Sequence, residues 1–221
     1  GTPIFWGVQG CGKTLAGLNS PWGPVHTIDV EDSSLDYYNN IDKMIELKIL
    51  KYPFTRTPCF SWAEFIAEVA RIEKEKIAYG TILLDTAGQI ADWVKYELFE
   101  VASKKMNKAG KSEAETQSQI VWGRVRDILR RTMLRLKPYA KLIILTAHET
   151  KYNDKYAPRA NPALLELTAM SIRLVRAPNT QVPDAEVYKA RLPIFPPRIQ
   201  KFATVKLLNY FEKPADYDNL T

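Results

Sequence analysis

Cysteine and histidine are scarce in this chain: two of each among 221 residues. Cys11 and Cys59 form no disulfide framework. With His26 and His148 they show no metal-ligand spacing, which argues against structural zinc. A reducing, cytoplasmic compartment is the expectation. Long apolar runs are missing too. No stretch of about 18 apolar residues occurs, so no membrane span is expected, and no secretory leader is visible. The opening residues already read as core strand, which leaves room for a natural N-terminal segment outside this chain. No internal repeat is visible.

What is present is a globular composition, 46% apolar and 25% charged. The length fits one large domain, expected over residues 1–210, with a loose C-terminal tail over 211–221. The net charge is +6. That balance favours an anionic partner, nucleic acid first.

The most specific motif lies near the start. Gly7-Val8-Gln9-Gly10-Cys11-Gly12-Lys13-Thr14 fits G-x-x-x-x-G-K-T and follows the short apolar run Ile4–Trp6. The backbone N–H groups of Gln9, Gly10, Cys11, Gly12, Lys13 and Thr14 are expected to wrap a β-phosphate. Gly10 and Gly12 allow the tight turn. Lys13 is expected to reach the β- and γ-oxygens, and the Thr14 hydroxyl to hold Mg²⁺. ATP and Mg²⁺ are the expected ligands.

Along the chain, strands are expected at Ile4–Trp6, Val25–Val30, Thr81–Leu84 and Leu142–Leu145. Helices are expected from Thr14 to Leu18, in part of 35–50, after the Ser61 cap, over 90–105 and over 119–137. Ser61 with Glu64 reads as a capping box. Residues 106–119 and 147–162 read as polar loops. Strand-like pieces follow at Ser171–Val175, Glu186–Leu192 and Phe202–Leu208. Alternating strands and helices after a phosphate loop predict a three-layer α/β domain. Its central sheet is mostly parallel, extended by C-terminal antiparallel strands.

Asp85 ends an apolar strand, where a second Mg²⁺ carboxylate belongs. Glu31 follows the second strand, where a general base can sit one water from a γ-phosphate; Asp29 and Asp32 compete for that role. His148 follows the Leu142–Leu145 strand and can donate to a γ-phosphate or an attacking water.

Ile28-Asp29-Val30-Glu31, Leu83-Leu84-Asp85-Thr86 and Leu145-Thr146-Ala147-His148 resemble the corresponding sites of RecA-like ATPases. The likeness covers roughly residues 3–176 and is nearest to the short phage-type members that assist single-strand annealing and recombination. It implies an ATPase with Glu31 as catalytic base, Asp85 as the Walker B aspartate and His148 as the polar sensor. It further implies self-assembly into a filament or ring on single-stranded DNA, a recombination or replication partner protein, and a phage or bacterial origin. A basic residue from a neighbouring subunit usually completes such sites. Lys151, Lys155 and Arg159 are the candidates, for that role or for DNA phosphates.

Asp85-Thr86-Ala87-Gly88-Gln89 instead resembles the switch II signature of Ras-like GTPases, with Gln89 positioning water. The guanine-reading N-K-x-D motif has no counterpart after Leu145, which counts against that reading. A stand-alone switch, another small hydrolase or a structural subunit with a static nucleotide site are the alternatives. For DNA, the basic helix offers Arg124, Arg126, Arg130, Arg131 and Arg135. The 151–159 segment adds Tyr152 and Tyr156 for stacking, and Tyr188, Lys189 and Arg191 form a third basic group.

Overall fold

A computed structural model of the protein describes residues 2–106, 111–152, 154–160, 162–176, 182–190 and 198–201. The strands are β1 (Thr2–Gly7), β2 (Val25–Asp29), β3 (Phe54–Pro58), β4 (Tyr79–Asp85), β5 (Ala140–Tyr152), β6 (Lys155–Pro158), β7 (Thr168–Val175), β8 (Asp184–Ala190) and β9 (Arg198–Ile199). The helices are α1 (Lys13–Leu18), α2 (Leu35–Asn39), α3 (Ile41–Glu46), α4 (Trp62–Glu75), α5 (Ala87–Met106), α6 (Lys111–Leu136) and α7 (Pro162–Leu167).

One sheet runs in the order β3-β2-β4-β5-β1-β7-β8-β9. Strands β3 through β7 pair in parallel, while β8 and β9 add antiparallel pairs. This is the three-layer α/β architecture expected from the sequence. The reason lies in the side-chain period. On β1, Ile4 and Trp6 face one apolar cluster while Phe5 faces the other; Ile82 and Leu84 against Leu83 divide β4 likewise. Side chains alternate across a strand, so a sheet covered on both faces needs continuous apolar runs. Every residue of β4 is buried.

Helix α4 begins at the cap read from the sequence. The Ser61 hydroxyl accepts from the Glu64 amide at 3.2 Å, and the Glu64 carboxylate accepts from the Phe60 amide at 2.7 Å.

Several local expectations need correction. The 147–162 segment is not a loop: β5 continues to Tyr152, the chain turns at Asp154, and β6 returns antiparallel before α7. Its polar residues form an exposed hairpin, whose pairing needs no apolar run. Helix α6 starts at Lys111, so most of the expected 106–119 loop is helical. An edge strand, β3, went unread because Pro53 and Pro58 bracket it; prolines are tolerated on edge strands. The expected strand at 202–208 and the tail at 211–221 lie outside the described residues. No helix among the described residues is long and apolar enough to cross a membrane.

A charged network ties α4 to the sheet. Glu68, 5% exposed, accepts from Arg71 at 2.7 Å and contacts the His26 ring at 2.8 Å; the other ring nitrogen meets Thr55. Burial alone would raise the Glu68 pKa, but hydrogen bonds from Arg71 and His26 outweigh it and bring it from 4.5 to about 2. A carboxyl with a depressed folded-state pKa stabilises the fold above its unfolded pKa, and that stabilisation is lost as pH falls through the folded value. The stability difference between wild type and Glu68→Gln should therefore shrink between pH 4.5 and about 2. Urea unfolding of both proteins across that range checks it; a difference independent of pH would count against the ionised network.

Candidate active site

The parallel register brings the proposed groups to one edge of the sheet. Gly7 at the end of β1 pairs with His148 on β5, and Asp29 at the end of β2 pairs with Asp85 at the end of β4. These are the carboxyl ends of the strands, where ligands of open α/β sheets bind.

The glycine loop runs from Gly7 to the start of α1. Gly10 and Gly12 have φ of 75° and 96°, a backbone region that strongly favours glycine. The Lys13 ammonium is buried and donates to the carbonyls of Gly7 at 3.2 Å and Val8 at 2.8 Å. The Cys11 thiol packs inside the loop, and burial pushes its pKa up against the opposing charge of Lys13.

Asp85 is 1% exposed. Three hydroxyls from three different elements donate to it: Thr14 on α1 at 2.6 Å, Ser33 after β2 at 2.5 Å, and Thr146 on β5. Burial raises its pKa, those hydroxyls oppose the rise, and the neighbouring Asp29 charge adds to it. Thr14 and Asp85 thus stand together as hard oxygen donors. Magnesium uses one or two protein oxygens and completes its shell with water and phosphate, so the donor set fits that ion. Among the described residues, no group of three or more His, Cys, Asp and Glu is placed to hold a metal ion by itself.

The three acidic residues after β2 have different surroundings. Asp29 is fully buried. It accepts from the Ser33 and Ser34 amides, the Ser34 hydroxyl and Arg56 on β3. Burial would raise its pKa, but Ser34 and Arg56 hold it below the usual carboxylate range. Asp32 is paired with Arg56. Glu31 alone is turned toward the ends of β4 and β5: one oxygen accepts from Thr86 at 2.8 Å and the other meets His148 Nε2 at 2.8 Å. Its side chain stays 30% exposed, open to water. Of the three, Glu31 has the placement a water-activating base needs.

Gln89 sits in the first turn of α5, and none of the hydrogen bonds joining Glu31, Thr86, His148 and Asp85 includes it. Gly88 has a packing reason. A Cβ there would lie 2.5 Å from the Arg159 carbonyl, so the hairpin base and α5 can meet only over a glycine. The basic candidates lie on or just past the β5–β6 hairpin. Lys151 pairs with Asp154 at 2.9 Å, Lys155 is exposed at the start of β6, and Arg159 reaches Asp92 at 3.5 Å.

Sequence reading missed Ser33, Thr86, Thr146 and Arg56. Each is a common residue in a strand or loop, and only the register reveals what it touches. Thr146 carried one weak signal, a polar residue directly after an apolar strand. Arg173 was also missed. It binds Glu149 at 2.6 Å and Glu186 at 3.2 Å and lies 4.0 Å from the centre of the Tyr156 ring.

Removing one donor from a buried carboxylate should cost on the order of 1–3 kcal/mol. Thr146→Val keeps the shape and deletes the hydroxyl, so its urea midpoint should fall accordingly. An unchanged midpoint would show that Asp85 does not need that donor.

No curated protein matches the sequence. The family model described as AAA domain matches residues 3–173, from β1 into β7. That span takes in the glycine loop, Glu31, Asp85 and His148. The chain belongs to the AAA-domain family, within the broader P-loop, RecA-like class of nucleotide-hydrolysing proteins.

Proposed function

We propose that this protein is a magnesium-dependent ATPase that acts on single-stranded DNA in phage-type recombination or annealing, assembled as a filament or ring. One observation supports this reading most. Glu31 meets His148, the register partner of Gly7, and His148 lies on β5, the strand that continues into the basic, aromatic hairpin. The partner that orients the water-activating group and a nucleic-acid-facing element would then share β5.

In this reading the loop amides and Lys13 hold the β- and γ-phosphates, and Thr14 and Asp85 hold the metal. The metal supplies charge neutralisation at the phosphate oxygens. Glu31 takes a proton from water as the water oxygen attacks the γ-phosphorus. The bond to the bridging oxygen breaks, releasing ADP and phosphate. Thr86 and His148 orient Glu31 for that transfer. Lys151, Lys155 and Arg159 meet DNA phosphates or a neighbouring subunit's nucleotide, and Tyr156, 40% exposed, is available to stack on a base.

Lys13→Ala should lose productive ATP binding while the fold is retained. Glu31→Gln should bind ATP yet lose about 10²-fold or more in turnover, because the proton acceptor is gone. Calorimetric binding and phosphate release on both variants check this; full turnover in Glu31→Gln would shift the base elsewhere.

Replacing Lys151, Lys155 and Arg159 together with alanine should weaken single-stranded DNA binding and flatten its salt dependence, by a slope of ~0.7 for each DNA phosphate no longer neutralised. Fluorescence anisotropy at several salt concentrations, alongside ATP turnover, reads this out. If binding and turnover both match wild type, the hairpin has neither role; ATP turnover blind to DNA in wild type would favour a stand-alone hydrolase.

A further inference from the structure

The glycine loop has two unlike sides. The groups that would face the metal and the attacked phosphate, Asp85, Ser33, Thr146, Glu31 and His148, all lie on the β5, β4 and β2 side of β1. On the other side of β1 stands β7, followed by β8. These strands press close to the loop. A Cβ on Gly7 would lie 2.5 Å from the Leu174 carbonyl, and a Cβ on Gly12 would lie 3.6 Å from Pro183. Arg176, just past β7, donates from Nη1 to the Gly10 carbonyl at 3.3 Å.

A ligand whose reacting end lies at Asp85 and Glu31 must send its other end away from them. In a nucleoside triphosphate the other end is the base and ribose. On the side of β1 away from Asp85, Arg176 stands at the lip of the loop, bonded to the Gly10 carbonyl.

A guanidinium suits that place. It is planar and weakly hydrated, and it packs against aromatic faces in a way an ammonium does not. We propose that Arg176 is a nucleoside-binding residue acting within its own chain, its guanidinium packing on the base and ribose beyond the phosphates held by the glycine loop. The assignment rests on the nucleotide-binding reading above.

The test compares wild type, Arg176→Ala and Arg176→Lys by calorimetry with two ligands, magnesium ATP and magnesium tripolyphosphate. Arg176→Ala should weaken ATP binding about tenfold and leave tripolyphosphate binding unchanged. Arg176→Lys should bind ATP as poorly as the alanine variant, because charge remains but the plane is lost. Equal loss of both ligands, or recovery by lysine, would overturn the proposal in favour of a charge acting on phosphate. Unchanged ATP affinity in Arg176→Ala would overturn it outright while leaving nucleotide binding intact. Wild type that binds neither ligand would defeat both readings.

Discussion

A buried carboxylate with no counter-cation among the described residues organises the edge of this sheet. Asp85 is out of water, and a charge in that position is tolerated only when it is hydrogen-bonded. Its partners among the described residues are hydroxyls from α1, from the segment after β2 and from β5. Three elements distant in sequence are thereby tied to one point. Asp29, its register partner on β2, is buried as deeply but has Arg56 to balance its charge. The contrast is chemical. Asp29 is internally neutralised and organises a turn. Asp85 is met by hydroxyls alone among the described residues.

The turn around Asp29 also explains why one of three neighbouring acids stands apart. Bonds from the amides and the hydroxyl that follow curl the chain back on Asp29, and Arg56 reaches over from the edge strand to Asp29 and Asp32. Glu31, between them, is turned outward to Thr86 and His148. A residue's chemistry here is decided by its neighbours' ion pairs as much as by its own type.

The sequence made the layer order, the loop and the strand ends plain because each has a local signature: glycine spacing, apolar runs and an acid after a run. The hairpin at 149–158, the edge strand β3 and the early start of α6 were obscured because their residues are polar or flanked by proline; of the three, only β3 depends on long-range pairing, with β2. Arg126 and Arg135 belong to the basic stripe of α6, yet they are engaged by Glu166 and Glu73. Two of the five arginines in that stripe are therefore already paired within the chain. Ser33 and Thr146 had no sequence signal strong enough to single them out; they matter because register places them against Asp85.

Strand β5 runs unbroken through 13 residues, from the interior to the exposed hairpin. At about 3.3 Å per residue, it spans on the order of 40 Å. Along its course it pairs with β4, then β1, then β6, and His148 lies in the ladder with Gly7. The hairpin and the first residue of the glycine loop are thus joined through one continuous strand, so a displacement of the hairpin along β5 would act on the ladder that seats Gly7.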